Sequence, residues 1–270
     1  MALYVVVFLF LSGLAAGSFA GAFAWRLHKG RDFVRERSEC EHCHHKLSTI
    51  DLIPVVGWVL LRGKCRYCKK PVSWQYPVME LLLGLLFVTS YLFWPLGFEA
   101  WQAIALFVLW LVYIALLAAL VVYDLKWMLL PDKIVLPLIA LGFMDAALRT
   151  SLAQGGIVEL ANHIVLGVAS LAGVYWLLYM VSKGRWVGFG DVKLSVFIGA
   201  VLGWQKSLLV LMLANLIGFL IIVPGLLSGK LTRTSRIPFG PFLIAAFFIA
   251  GLWGDEIIRW YIQTFIFSTV

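Results

Sequence analysis

Charge is what this chain has least of. Only 13% of its 270 residues are Asp, Glu, Lys or Arg, while 62% are hydrophobic and the mean hydropathy is +0.94. A soluble globular domain carries roughly a quarter charged residues, so that class is excluded. No basic residue precedes the first apolar run, so the charged start of a secretory signal is missing and the run reads as a retained span. Internal repeats and long polar linkers are absent. So are the usual nucleophile motifs of covalent hydrolases, and a glycine-rich loop joining a strand to a helix. Cysteine is scarce too: all four lie between Cys40 and Cys68.

What is present is a series of apolar runs, each near the roughly 20 residues a membrane helix needs. Spans are expected at 3–25, 77–94, 101–123, 134–148, 157–181, 192–204, 208–227 and 239–253, with the tail after Asp255 in the interface. The expected fold is an all-α polytopic membrane protein of about eight transmembrane helices. It divides into a first span (1–25), a polar loop with every cysteine (26–76) and a membrane-embedded core (77–270). With the N-terminus outside, 19 of the 22 Lys and Arg residues fall on the cytoplasmic side, leaving Arg149, Lys206 and Arg259 outside. That positive-inside bias explains the net charge of +8 without nucleic acid, and makes anionic lipid headgroups the expected neighbours. Both termini then lie outside, and the polar loop is cytoplasmic.

The same topology puts two carboxylates at one depth, near the cytoplasmic surface. One stands in Tyr123-Asp124-Leu125-Lys126, at the end of an apolar run. The other stands in Trp186-Val187-Gly188-Phe189-Gly190-Asp191-Val192-Lys193-Leu194, at the mouth of another. Alone, either aspartate reads as a cap or a snorkelling group; Asp191 suits a helix start. Together they form a functional pair, because an aspartate beside a membrane span is costly unless it faces protein or water. Two carboxylates a few ångströms apart share a proton. One then serves as base toward a water while the other donates to a carbonyl oxygen, and the pair titrates with two macroscopic values. Asp132, after Pro131, reads as an N-cap, with membership of the carboxylate pair as the lesser alternative. Lys126 and Lys193 tune the local field or hold lipid phosphate. Asn215 reads as an interhelical hydrogen-bonding group.

The cysteine loop is the second centre. Cys40-x-x-Cys43 and Cys65-x-x-Cys68 are separated by 21 residues, and four thiolates close the tetrahedral sphere of a structural zinc ion. Two disulfides are the alternative, which a reducing cytoplasmic loop disfavours. His42, His44 and His45 read as surface residues. The apolar stretch 51–61 is too short and broken to span, so it packs on the metal module or on the membrane surface.

These motifs, in this order, resemble the prepilin leader peptidases. The resemblance rests on Arg37-Ser38-x-Cys40-x-x-Cys43-x-His45-x-Leu47, Asp51-Leu52-Ile53-Pro54 and Leu61-Arg62-Gly63-Lys64-Cys65-Arg66-x-Cys68. It continues through Tyr76-Pro77-x-x-Glu80, Asp124-(x)5-Leu130-Pro131-Asp132 and Gly188-x-Gly190-Asp191-x-Lys193-Leu194. In the first span Ser18-Phe19 fits, but 20–26 stands where an Asn-containing run is usual. The resemblance implies an aspartic endopeptidase of the Gly-x-Gly-Asp type in the bacterial inner membrane. Its substrates would be type IV prepilins or pseudopilin precursors, cut after a basic leader. Carried over by position, Asp124 and Asp191 are the catalytic pair and Cys40, Cys43, Cys65 and Cys68 the zinc ligands. It also implies N-methylation of the new amino terminus with S-adenosylmethionine, for which Glu80 is a candidate beside its other reading as a cap of the second span. Two other classes accommodate the residues: an ion- or proton-coupled transporter using the aspartate pair, and a non-enzymatic zinc-bearing assembly protein.

Overall fold

The computed structural model describes residues 2–32, 38–232, 235 and 237–266. Arg35, Arg37, Arg233 and Arg236, all among the 19 basic residues assigned to the cytoplasmic side, lie outside the described residues, as does the end of the tail. Among the described residues there are eight α-helices: α1 (Ala2–His28), α2 (Val56–Leu60), α3 (Gln75–Leu92), α4 (Trp101–Trp127), α5 (Asp132–Leu152), α6 (Ile157–Ser182), α7 (Phe189–Leu227) and α8 (Gly240–Tyr261). Among the described residues there is no strand, only isolated bridges at Glu39–Lys46 and Lys64–Pro71. The all-helical expectation therefore holds, with the cysteine module between α1 and α3.

The helices stop where local chemistry stops them. Met128 ends α4 and Lys183 ends α6, each in the left-handed region at φ 53°. Pro131, extended at φ −70° and ψ 134°, starts α5, and a proline in the first turn starts α8. That position suits proline because its missing N–H has no intrahelical partner anyway.

Seven helices among the described residues are long and apolar enough to cross a membrane, against eight expected. The difference lies in α7, 39 residues long, which contains both the sixth and the seventh expected span. Its ladder breaks at Gly203 (φ 71°, ψ −180°), a conformation essentially reserved for glycine. The chain doubles back there. Asp191 and Asn215, each twelve positions from Gly203, both approach Tyr175 on α6. Beyond the break, Lys206 pairs with Asp255 of α8 at 2.8 Å, and Gly218 faces Phe242. Limb 189–202 thus runs one way and limb 204–227 returns. His163 of α6 satisfies one carbonyl freed at the break, Ala200, at 3.0 Å.

The chain forms two compact units. The first holds Met1–Leu92 and Leu111–Tyr123. In it α1 packs closely on α3, since a Cβ at Gly13 or Gly17 would lie 2.6 Å from the Leu83 carbonyl oxygen or the Glu80 Cα. Small residues allow this approach where lipid offers no hydrophobic drive between helices. The second unit holds Phe93–Trp110 and Asp124–Val270. Its core is aromatic: Trp110 meets Phe247 at 5.0 Å between ring centroids, and Phe247 meets Phe197 at 5.4 Å.

Candidate active site and metal centre

Both aspartates belong to the second unit, and three helix ends bring them together. Asp124 lies three residues before the end of α4, and Asp191 is the third residue of α7. The link between α4 and α5 supplies the meeting point. Leu130 is so close to α7 and α8 that a Cβ at Gly190 would lie 2.9 Å from its Cβ, and one at Gly240 would lie 3.4 Å from its Cδ2. Only glycine leaves room at these two positions.

Each carboxylate is held by one oxygen. Gly188 N–H donates to Asp191 Oδ2 at 3.3 Å, the reciprocal half of a capping box. Gly240 N–H donates to Asp124 Oδ2 at 3.1 Å. Asp124 is 5% exposed and Asp191 9%, and the two carboxylates are close enough to interact through their charges. A buried carboxylate pair with one anchored oxygen apiece has its second oxygens left for chemistry. Nothing in this arrangement resembles a nucleophile with a base beside it.

The other candidates fall elsewhere. Asp132 is not an N-cap: Pro131 holds that position, and Asp132 is the first helical residue, its side chain 59% exposed. It forms an ion pair with Lys193, which therefore has a protein partner. Glu80 does not cap α3 either, being the sixth residue of a helix that starts at Gln75. It is buried, accepts the Val55 N–H at 2.6 Å and bonds Ser18 of α1. The Asn215 amide donates to the Leu211 carbonyl of its own helix at 2.7 Å, and the side chain also reaches across to Tyr175 of α6. Two neighbours of the pair escaped notice in the sequence. Gly240 carried a signal, lying between two prolines in Pro238-Phe239-Gly240-Pro241, where a helix had to start. Tyr175 carried none, because it reads as one more aromatic in a span.

The cysteines lie in the first unit. The two Cys-x-x-Cys segments fold as copies of one turn. His44 N–H donates to the Cys40 carbonyl at 2.9 Å and Lys69 N–H to the Cys65 carbonyl at 3.0 Å. His44 and Lys69 both have positive φ, 55° and 59°. All four Sγ atoms lie within 4.8 Å of one another, Cys40 and Cys68 at 3.9 Å. Zn–S bonds of about 2.3 Å in a tetrahedron put sulfurs roughly 3.8 Å apart, so the donor set fits that ion. All four are free thiols. Burial opposes ionising Cys65, but the N–H groups of Cys68 and Tyr67 and the neighbouring thiols bring it down to about 7. The His45 N–H favours the Cys43 thiolate, yet burial and the other three thiols outweigh it and push Cys43 up to about 11. A cation is what lets four such sulfurs be anionic together. His42, His44 and His45 are exposed, as expected, with His44 beside Glu39 and His45 against Tyr67.

The fold and this pair of buried carboxylates define a polytopic helical membrane protein with the makings of acid–base chemistry. Comparison with known proteins narrows the class. Residues 111–223 match the type IV leader peptidase family and residues 11–94 the bacterial peptidase A24 N-terminal domain. The chain belongs to the type IV leader peptidase family. It is 38% identical to the prepilin leader peptidase/N-methyltransferase of Aeromonas hydrophila, over 85% of this chain and 76% of that one. It is 32% identical to the protein of the same name from Bacillus subtilis (strain 168), over 94% and 97%. With the one from Pseudomonas putida it shares 32% over 94% and 92%. No solved structure matches the chain at a significant level.

Proposed function

We propose that this protein is a membrane aspartic endopeptidase that removes the basic leader from type IV prepilins or pseudopilin precursors and N-methylates the new amino terminus. Asp124 and Asp191 are its acid–base pair. The observation that supports this most is the pair itself, buried, with one oxygen of each carboxylate held by a backbone N–H. The ionised member takes a proton from water as the water oxygen attacks the scissile carbonyl carbon. The protonated member gives its proton to the carbonyl oxygen. Collapse of the tetrahedral species breaks the C–N bond, and a proton passes to the leaving nitrogen. The anchored oxygens keep both carboxylates in place while their charges exchange, so little reorganisation is needed during reaction.

The protein sits in the bacterial cytoplasmic membrane with its N-terminus outside and the cysteine module in the cytoplasm, as the basic residues indicate. The leader of a prepilin is basic and cytoplasmic and the following helix apolar, so its scissile bond lies at the depth of the pair. Lipid is a second partner. Ile50, Ile53, Val56, Val59 and Leu60 are exposed on the segment that Val55 ties to the second turn of α3. Such an exposed apolar run suits the membrane boundary, where anionic headgroups complement the basic residues of the module. The functional division of the chain is 1–25, 26–76 and 77–270.

Cys40, Cys43, Cys65 and Cys68 hold a structural zinc ion, which ties the two knuckles into one module. For S-adenosylmethionine, the residues present suit the group. An open depression on the surface of this module is lined by Trp58, Trp74, Glu41, Arg62 and Lys64. Its aromatic faces fit a sulfonium or an adenine, and its charges fit the amino acid end. When bound there, the group supplies an activated methyl. The protein in detergent or bilayers, given a pilin-like precursor, yields a shortened product. An intact precursor would refute the peptidase reading.

A further inference from the structure

Tyr175 is a large side chain with an unused polar atom. It stands on α6, seven residues before that helix ends at Ser182, and is 2% exposed. Its hydroxyl is buried without a hydrogen-bond partner among the described residues. A buried hydroxyl left unpaired is costly, so such a group in a native fold calls for a function. Its position supplies one. The ring lies against Phe239, at 5.7 Å between centroids, and Phe239 is the residue before Gly240, whose N–H holds Asp124. From the other side the hydroxyl is within electrostatic reach of Asp191. Asn215 reaches the phenol oxygen from the returning limb of α7 on the side a donor takes, while its amide nitrogen also donates to the Leu211 carbonyl, so the phenol proton is still left without an acceptor. Tyr175 therefore stands between the segment that anchors one carboxylate and the other carboxylate, with its donor unsatisfied.

We propose that the Tyr175 hydroxyl donates a hydrogen bond to the oxygen of the scissile carbonyl, strengthening as that carbon becomes tetrahedral. The inference rests on Asp124 and Asp191 being the acid–base pair, and adds the group that receives the substrate between them. A tyrosine suits the task. Its ring is fixed by packing, so the donor is in place before the substrate arrives. Its proton stays on the phenol throughout, so it stabilises the oxygen without competing for the proton the pair transfers.

The test is Tyr175→Phe, which keeps the ring against Phe239 and removes one oxygen. Loss of a donor to a developing oxyanion lowers kcat by about 10²-fold, with KM within twofold of the parent. A precursor peptide bearing a hydroxyethylene isostere at the scissile bond should lose affinity by a similar factor. Its tetrahedral carbon carries the oxygen that Tyr175 meets. Isostere binding is read on the folded fraction, so even a less stable variant reports on this contact. Cleavage at the parental rate, a loss wholly in KM, or unchanged isostere affinity overturns the inference. Asp124→Asn and Asp191→Asn run alongside it. If those two still cleave, the reading of the pair fails; if they are dead and Tyr175→Phe is fully active, only the tyrosine's role fails.

Discussion

In the cysteine module all four sulfurs come from 29 consecutive positions, and each half is closed by its own turn. In the carboxylate site Asp124 and Asp191 stand 67 positions apart, and Gly240, which anchors the first of them, is 49 further on. The module repeats one hydrogen-bonding scheme twice, with backbone groups acting within five residues of each cysteine. The carboxylate site has no such repeat: two different helix starts each offer one N–H. A local site survives whenever its short segment folds. A dispersed one exists only when helices α4, α7 and α8 all end at the same place, so its failures should be sharper.

The largest effect should come from the pair itself. Asp124→Asn and Asp191→Asn are each expected to lower cleavage by about 10³-fold or more while the protein still inserts, since one carboxylate cannot be both base and acid. Precursor shortening in bilayers measures it, and parental rates in either variant would remove the aspartic mechanism.

Next comes the dispersed anchor. A Cβ at position 240 would sit 2.6 Å from Asp124 Oδ2, displacing the carboxylate and its hydrogen bond. A bond to a charged group is worth about 1.5–3 kcal/mol, so Gly240→Ala should lose roughly 10- to 100-fold in kcat. Glycine at 225, by contrast, has a flexible side chain, Leu231, as its nearest neighbour. Gly225→Ala serves as the control, with cleavage near the parent.

The same contrast governs what could be read from sequence. The convergence of the four cysteines was legible, because spacing alone states it. So were the long apolar helices, down to the two limbs of α7, since apolar length acts locally. The turn between those limbs was legible only as a gap; that Gly203 alone makes it follows from a backbone angle no residue pattern announces. The two aspartates were found through their membrane context, but not what holds them. Gly240 is known as an anchor only once α8 is placed, and Tyr175 as a donor only once its hydroxyl is seen to be unpaired. Asp132 and Glu80 were misassigned as caps for a related reason. A carboxylate near a helix start caps it only in the right register, and one residue in the first case and six in the second were enough to miss.

The metal centre should yield a large chemical change and a smaller catalytic one. Fresh protein should carry about one zinc per chain, and Cys40→Ser with Cys65→Ser should lose it and lower Tm. Methyl transfer should fall to background, while cleavage keeps a third or more of the parental rate. Metal analysis and the two activities measured on one preparation check this. Fresh protein without zinc, or with two disulfides, would contradict the assignment.

The smallest effect is expected at Asp132, the third acid near the pair. Its side chain is mostly exposed and its partner Lys193 lies on α7. An exposed ion pair contributes about 0–1 kcal/mol, and the α4–α5 link is also held by Leu130 packing against the Gly190 and Gly240 positions. Asp132→Asn should therefore leave kcat within about twofold and shift Tm by a degree or two, with the small loss fading at high salt as the charges are screened. Lys193→Gln should reproduce the same modest loss, and the double variant should lose no more than either single one, because both remove one interaction. A loss at Asp132→Asn comparable to that at Asp191→Asn, insensitive to salt and absent from Lys193→Gln, would instead make Asp132 a member of the pair.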